Sequence, residues 1–460
     1  RVLFRSYCKM KNIKYKYIIL ALSVFFLVTS CDRELDINPE QSVGTNVVIS
    51  TPESVEQILI GAYKNTGDGD LFGGDLQIYA DILGDNGDLY WWGTYADLGN
   101  IYDKSIISNN VYVRDSWARA YKVIYETNVV LDNLNIVTDA DDKKRIGGEA
   151  KFLRALNYFE LVRYFGKQYE VGKNNTQLGV PLVLKTTSDF NGDLSVARNT
   201  VEEVYTQVIK DLTDAIAILP VENSYYADVY SAKALLSRVY LQKGDYKNAR
   251  DMANDVIENS GRSLMTNYKD AFNSSENTNE DLFAMQVTSQ SGENDLITFY
   301  ADEIHGGRGG DIALTEDFLD IFDSDDVRGS FYYYNVYDDI LTSKYTNQFG
   351  NVHVIRLAEM YLIRAESNFR LGTVIGANPL DDINEIRDRA KAPTLISLAL
   401  EDILLERRKE LAFEGFLLHD IKRTQGTVGS LNWNDSKLVF PIPLREMQVN
   451  SKLVQNPGYN

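Results

Sequence analysis

Cysteine is almost absent from this 460-residue chain: only Cys8 and Cys31 occur. One precedes a short apolar run and the other closes it. Beyond Cys31 there is therefore no disulfide framework and no cysteine metal site. A chain this long does not need such cross-links, because it can bury a large core. Histidine is nearly as scarce, and His305, His353 and His419 stand far apart. No H-E-x-x-H, G-x-S-x-G or P-loop pattern occurs, and the glycine-rich Gly306–Gly310 reads as a tightly turned loop. These absences predict structural or surface histidines, no catalytic residue, no metal and no cofactor. Carboxylates are plentiful, and a glycosidase pair is defined by separation across a cleft, which spacing along a chain does not reveal. Nothing after the first apolar run is long enough to span a bilayer.

Positive charge is also in short supply. The chain has a formal net charge of −19, with 47 basic and 66 acidic residues. Its first thirty residues carry six basic groups and no acidic ones, so removing them from −19 leaves −25 for the rest. Such a surface argues against nucleic acid and against lying flat on anionic lipid.

What is present begins with Tyr17-Ile-Ile-Leu-Ala-Leu-Ser-Val-Phe-Phe-Leu-Val28, preceded by Lys11, Lys14 and Lys16 and followed by Thr29-Ser30-Cys31. A basic lead, a short apolar run and small residues make a secretory signal. Val28-Thr29-Ser30-Cys31 resembles a bacterial lipobox, in which the cysteine is acylated and becomes residue one. Met10 is the expected start, and residues 1–9 stay outside fold reasoning. The expected organisation is a signal over 1–30, lipidated Cys31 with a tether over 31–50, and one body over 51–460.

Within the body, helical periodicity alternates with loop chemistry. Thr51 or Ser54 is placed to cap a helix over Val55–Tyr63. Trp117, Tyr121, Ile124, Asn128, Leu131 and Leu134 share a helical face, as do Ala150, Leu153, Tyr158, Leu161, Val162 and Phe165, with Gly166 as terminator. Thr200-Val-Glu-Glu203 is a capping box. Residues 227–243 and 245–257 form a tetratricopeptide-like pair, with Ala232, Ala249 and Ala253 permitting close approach. Further helices are expected over Val354–Leu371, Leu380–Ala390 and Glu401–Lys422, and strands at Phe283–Val287 and Phe331–Tyr337. Residues 67–110 and 261–350 read as loop-rich excursions. The fold class is thus mostly α: helix hairpins as a scaffold, with a loop-rich, variable second region carrying a few short strands.

Several segments, in order, resemble the SusD/RagB outer-membrane lipoproteins of Bacteroidetes. They are Ala150-Lys-Phe-Leu-Arg-Ala-Leu-Asn-Tyr-Phe-Glu-Leu-Val-Arg-Tyr-Phe-Gly166, Gly179-Val-Pro-Leu-Val183, Arg356-Leu-Ala-Glu-Met-Tyr-Leu-Ile-Arg-Ala-Glu366, Glu406-Arg-Arg-Lys-Glu-Leu-Ala-Phe-Glu-Gly415 with Asp420 and Arg423, Pro441-Ile-Pro443 and Gln455-Asn-Pro-Gly-Tyr459. The resemblance implies four tetratricopeptide-like hairpins. It also implies a lipid-anchored, outward-facing protein that binds glycans without cutting them and lids a SusC-like TonB-dependent transporter. Asp32-Arg-Glu34 resembles a surface-export signal of such bacteria. Leu417 departs from the pattern, where arginine is usual, and a local change in a structural ion-pair network is expected there.

A sugar offers a C–H face to aromatics and hydroxyls to polar groups, so a site wants both on an exposed loop. Tyr90, Trp91, Trp92 and Tyr95 with Asp85, Asn86 and Asp88 supply them, and adjacent tryptophans in an extended segment should point opposite ways. Tyr300 and the tyrosines of 331–337 are secondary candidates. A few stacked rings, at about 0.5–1.5 kcal/mol each beyond area, imply weak binding. Two rival readings are an exported glycoside hydrolase and a peptide- or protein-binding helical-repeat scaffold.

Overall fold

Thr51 opens the first helix, α1 (Pro52–Thr66). Its hydroxyl accepts the Ser54 N–H, the Ser54 hydroxyl accepts the Thr51 N–H, and Pro52 occupies the first turn. The computed structural model describes residues 49–187, 194–290, 292 and 294–459; Met10, the apolar run and Cys31 lie outside the described residues. Two short helices follow, α2 (Asp75–Gly84) and α3 (Ala96–Tyr102), flanking a strand, β1 (Leu89–Trp91). The stretch 67–110 is therefore more regular than its glycines and aspartates suggest. Every residue of α2 is buried, and a helix buried all round shows no amphipathic period to detect.

The scaffold helices come next: α4 (Val111–Asp132), α5 (Ala140–Phe165), α6 (Val201–Ile216), α7 (Val229–Lys243) and α8 (Tyr246–Asn259). Asn110, Asp139, Thr200, Asp228 and Asp245 cap them, each side chain accepting a backbone N–H of the first turn. Gly244, in the left-handed region at φ 73°, turns α7 into α8. Ala232, Ala249 and Ala253 are fully buried between these two helices, and Ser237 Oγ reaches the Ala249 carbonyl at 2.8 Å. Packing runs in chain order, α1 on α4, α4 on α5, α5 on α6, α6 on α7 and α7 on α8, as stacked hairpins do.

The second region carries β2 (Asp281–Met285), α9 (Asp295–Tyr300), β3 (Ile312–Leu314), α10 (Glu316–Leu319), β4 (Tyr332–Tyr334), β5 (Ile340–Thr342) and β6 (Val352–Arg356). One antiparallel sheet has the order β1-β3-β5-β4, and β2 pairs with β6. Residues 352–356 are thus strand, and the helix α11 (Leu357–Leu371) begins only after them. The run Val-His-Val-Ile carries the β-branched residues that favour this. Helix α11 packs on α8 and on both α12 (Pro379–Arg389) and α13 (Leu400–Glu410).

The single helix expected over Glu401–Lys422 is two, α13 and α14 (Leu417–Arg423). Phe413 (φ 65°) and Gly415 (φ 83°) break it, and the break points Glu414 into a buried charge network. Arg356 reaches Glu414 at 2.7 Å and Glu410 at 3.2 Å, Lys344 reaches Glu414 at 2.6 Å, and Arg389 reaches Glu280 at 3.0 Å. Burial raises the Glu414 pKa, but Arg356 and Lys344 more than reverse that, holding it at about 2. The charged run 406–410 is therefore the hub of tertiary ion pairs. Leu417, where arginine was expected, lines an apolar cavity with Phe413, Phe416 and Ile421. The C-terminal tail packs on α5: Phe440 N–H donates to the Tyr164 carbonyl at 2.8 Å, and Asn456 donates to those of Phe165 and Phe440.

Candidate functional site

The segment after α2 is shaped by one carboxylate. Asp85 Oδ1 accepts the backbone N–H groups of Gly87 (3.2 Å), Asp88 (2.9 Å) and Leu89 (3.0 Å). Burial pushes the Asp85 carboxyl up, and Lys104 and these N–H bonds oppose it. Asn86 Oδ1 accepts the Gly429 N–H at 2.8 Å, and Asp88 pairs with Arg408. Asp85 and Asp88 are buried; these polar candidates hold the loop's shape.

That turn delivers β1. Leu89 is buried, whereas Tyr90 is 49% and Trp92 58% exposed. Their rings stack on one another with centroids 5.5 Å apart and planes 29° from parallel. Trp91 points the other way, with its ring over Gly93 and its indole nitrogen beside Gly99. A Cβ on Gly93 would fall 2.4 Å from that ring, so only glycine fits there. Trp91 is thus the half-buried anchor and Trp92 the exposed ring. Tyr95 is exposed too, edge-on to Tyr112 and Phe299, with the Arg308 guanidinium 4.1 Å over its ring.

Tyr300 does not belong to this group. It is fully buried, and its hydroxyl donates to Asp81 Oδ2 at 2.8 Å. Burial raises the Asp81 carboxyl to about 8. A ring with no exposed surface offers no face to a ligand, so Tyr300 is removed from the candidates. The 331–337 tyrosines divide. Tyr334 and Tyr337 are exposed, while the Tyr333 hydroxyl accepts the Asp302 N–H at 3.1 Å.

Tyr90 and Trp92 line an open cavity of about 620 Å³. The same cavity is lined by Tyr102 of α3, by Thr315, Glu316 and Asp317 at the start of α10, and by Asp338 and Asp339 before β5. Motif reasoning missed these residues. Apart from Tyr102, they sit more than two hundred positions from Trp92, and the sheet order β1-β3-β5-β4 brings them together. Thr315 closes the contact, donating its hydroxyl to the Gly87 carbonyl at 2.8 Å. The cavity beside Leu417 is smaller, about 160 Å³, and more apolar.

A rigid scaffold that holds an aromatic-lined cleft in its loop-rich region is where binding and catalytic residues concentrate. Two family models match the chain: SusD-like_3, described as starch-binding associating with outer membrane, over residues 34–241, and SusD_RagB, the SusD family, over residues 320–438. The chain belongs to the SusD/RagB family. It is similar to the SusD-like protein P2 of Formosa agariphila, 25% identical across 98% of this chain and 100% of that one. The starch-binding protein SusD of Bacteroides thetaiotaomicron is 30% identical over 24% of this chain and 22% of its own length. Among solved structures, a SusD superfamily protein from the same organism superposes with a TM-score of 0.80 at 27% identity, covering 88% of this chain and 100% of that one.

Proposed function

We propose that this protein captures oligosaccharides at the Tyr90–Trp92 cleft and passes them to a SusC-like TonB-dependent transporter in the outer membrane, to which Cys31 tethers it through lipid. The observation that carries the reading is the exposed Tyr90–Trp92 ring pair lining a cavity that also offers Thr315 and four carboxylates. Rings take the C–H face of a sugar, and carboxylates and hydroxyls take its hydroxyls. The family description, starch-binding and associated with the outer membrane, supports both halves. No helix among the described residues is long and apolar enough to cross a membrane. Binding of millimolar to micromolar strength, about −4 to −8 kcal/mol, serves a tethered receptor, because tethering beside a transporter raises effective concentration.

The test is to titrate the purified protein with a panel of polysaccharides and to assay the same mixtures for new reducing ends. Saturable binding without turnover supports the proposal. Sustained turnover would make the protein a glycosidase, and binding of peptides alone would make it a scaffold.

A further inference from the structure

Resting on that reading of the cleft, we infer that it selects uncharged oligosaccharides and rejects chains bearing carboxylate or sulfate groups. The lining that the rings share is anionic. Glu316, Asp317, Asp338 and Asp339 all line the cavity, and no lysine or arginine does. Among the described residues none of the four is in an ion pair. The cations of flanking elements are engaged elsewhere. Arg408 pairs with Asp88, Arg308 bonds Thr94 and faces Asp311, and Lys104 donates to the Ile82 carbonyl.

The carboxylates are also held in place. Thr315 caps α10 by accepting the Phe318 N–H at 3.1 Å, which fixes Glu316 and Asp317 beside β1. Asn335, itself buried, accepts the N–H groups of Tyr337 and Asp339 at 2.9 Å each and donates to Asp339 Oδ2 at 3.1 Å. It thereby sets the turn that presents Asp338 and Asp339. A sugar hydroxyl gains a charge-assisted bond from such a group. A uronate or sulfate in the cavity meets four carboxylates among the lining groups and no lysine or arginine, a repulsion that salt screens over a Debye length of about 8 Å at physiological ionic strength.

The test uses matched ligands: a neutral polysaccharide that the protein binds, and the same polymer oxidised at C6 to the uronate. Titration at 20 mM and 500 mM salt should show the oxidised form binding at least about tenfold more weakly at low salt, the gap shrinking several-fold at high salt as screening shortens. In Glu316→Gln/Asp317→Asn/Asp338→Asn, the ratio of oxidised to neutral affinity should rise by about threefold or more, whatever becomes of neutral binding itself. Equal binding of both forms, a salt-independent gap, or an unchanged ratio in the variant would each overturn the inference while leaving the cleft a glycan site. Binding of anionic glycans alone would do the same. If no polysaccharide binds, the cleft reading falls and this inference falls with it.

Discussion

The Arg356 guanidinium and the Glu414 carboxylate meet at 2.7 Å inside the protein, each with a side chain at most 6% exposed. Fifty-eight residues apart in sequence, they join the end of β6 to the break between α13 and α14. Removing one partner of such a pair leaves a buried charge uncompensated. Glu414→Gln should therefore cost about 3–5 kcal/mol of stability, read as a lower midpoint in chemical denaturation. A loss below about 1 kcal/mol would mean the network is not a structural hub.

The same pair sets an acid limit. The folded-state Glu414 pKa of about 2 lies below the usual 4.5, so its contribution is fully present above pH 4.5. It is lost as pH falls from there toward 2, by up to about 3 kcal/mol. Glu410, Glu366 and Asp420 are depressed as well: burial raises each, and the neighbouring arginines outweigh it. Stability should thus fall steeply below about pH 4.5, and Glu414→Gln should flatten the decline. Denaturation midpoints from pH 3 to pH 7 for both proteins check this, and parallel curves would contradict it.

Gly415 makes the turn possible. It sits at φ 83°, and a Cβ there would lie 2.8 Å from the Gln77 Cα, a backbone atom that has no easy retreat. Gly415→Ala should cost about 2 kcal/mol or more, from strain and contact together. A thermal midpoint within a degree of the parent would show that the loop can shift freely.

The aromatics should separate binding from folding. Trp92→Ala and Tyr90→Ala should each weaken glycan affinity by about tenfold, roughly one or two lost stacking contacts, with the midpoint of unfolding nearly unchanged. Trp91→Ala should do the reverse, costing about 2 kcal/mol of stability through lost packing over Gly93 and Gly99. Full affinity in both Trp92→Ala and Tyr90→Ala would move the site elsewhere on the surface.

Tyr300→Phe keeps the ring and removes only the hydroxyl that serves Asp81. It should lower stability by about 1–2 kcal/mol and leave glycan affinity intact. A loss of affinity with no loss of stability would return Tyr300 to the site.

Local chemistry was enough to define the scaffold. Caps at Thr51, Thr200 and Asp245 and the terminator Gly244 act within four residues of themselves, so linear sequence carries their whole signal. The alternation around Trp91 and Trp92 likewise follows from the two-residue period of an extended chain. Other features depended on partners far away in the chain. Helix α2 is buried on every side, so its periodicity vanished among glycines and aspartates. The helix over 401–422 breaks because Glu414 must reach Arg356 and Lys344, a requirement set outside that segment. Tyr300, polar and aromatic like a binding residue, is a core residue because Asp81 waits for its hydroxyl. The sequence by itself determined the helical repeats, the acidic surface and the aromatic loop, since each rests on near neighbours or on composition. Only the tertiary structure decided which rings face solvent and which carboxylates face them, because strand pairing across more than two hundred residues builds that wall.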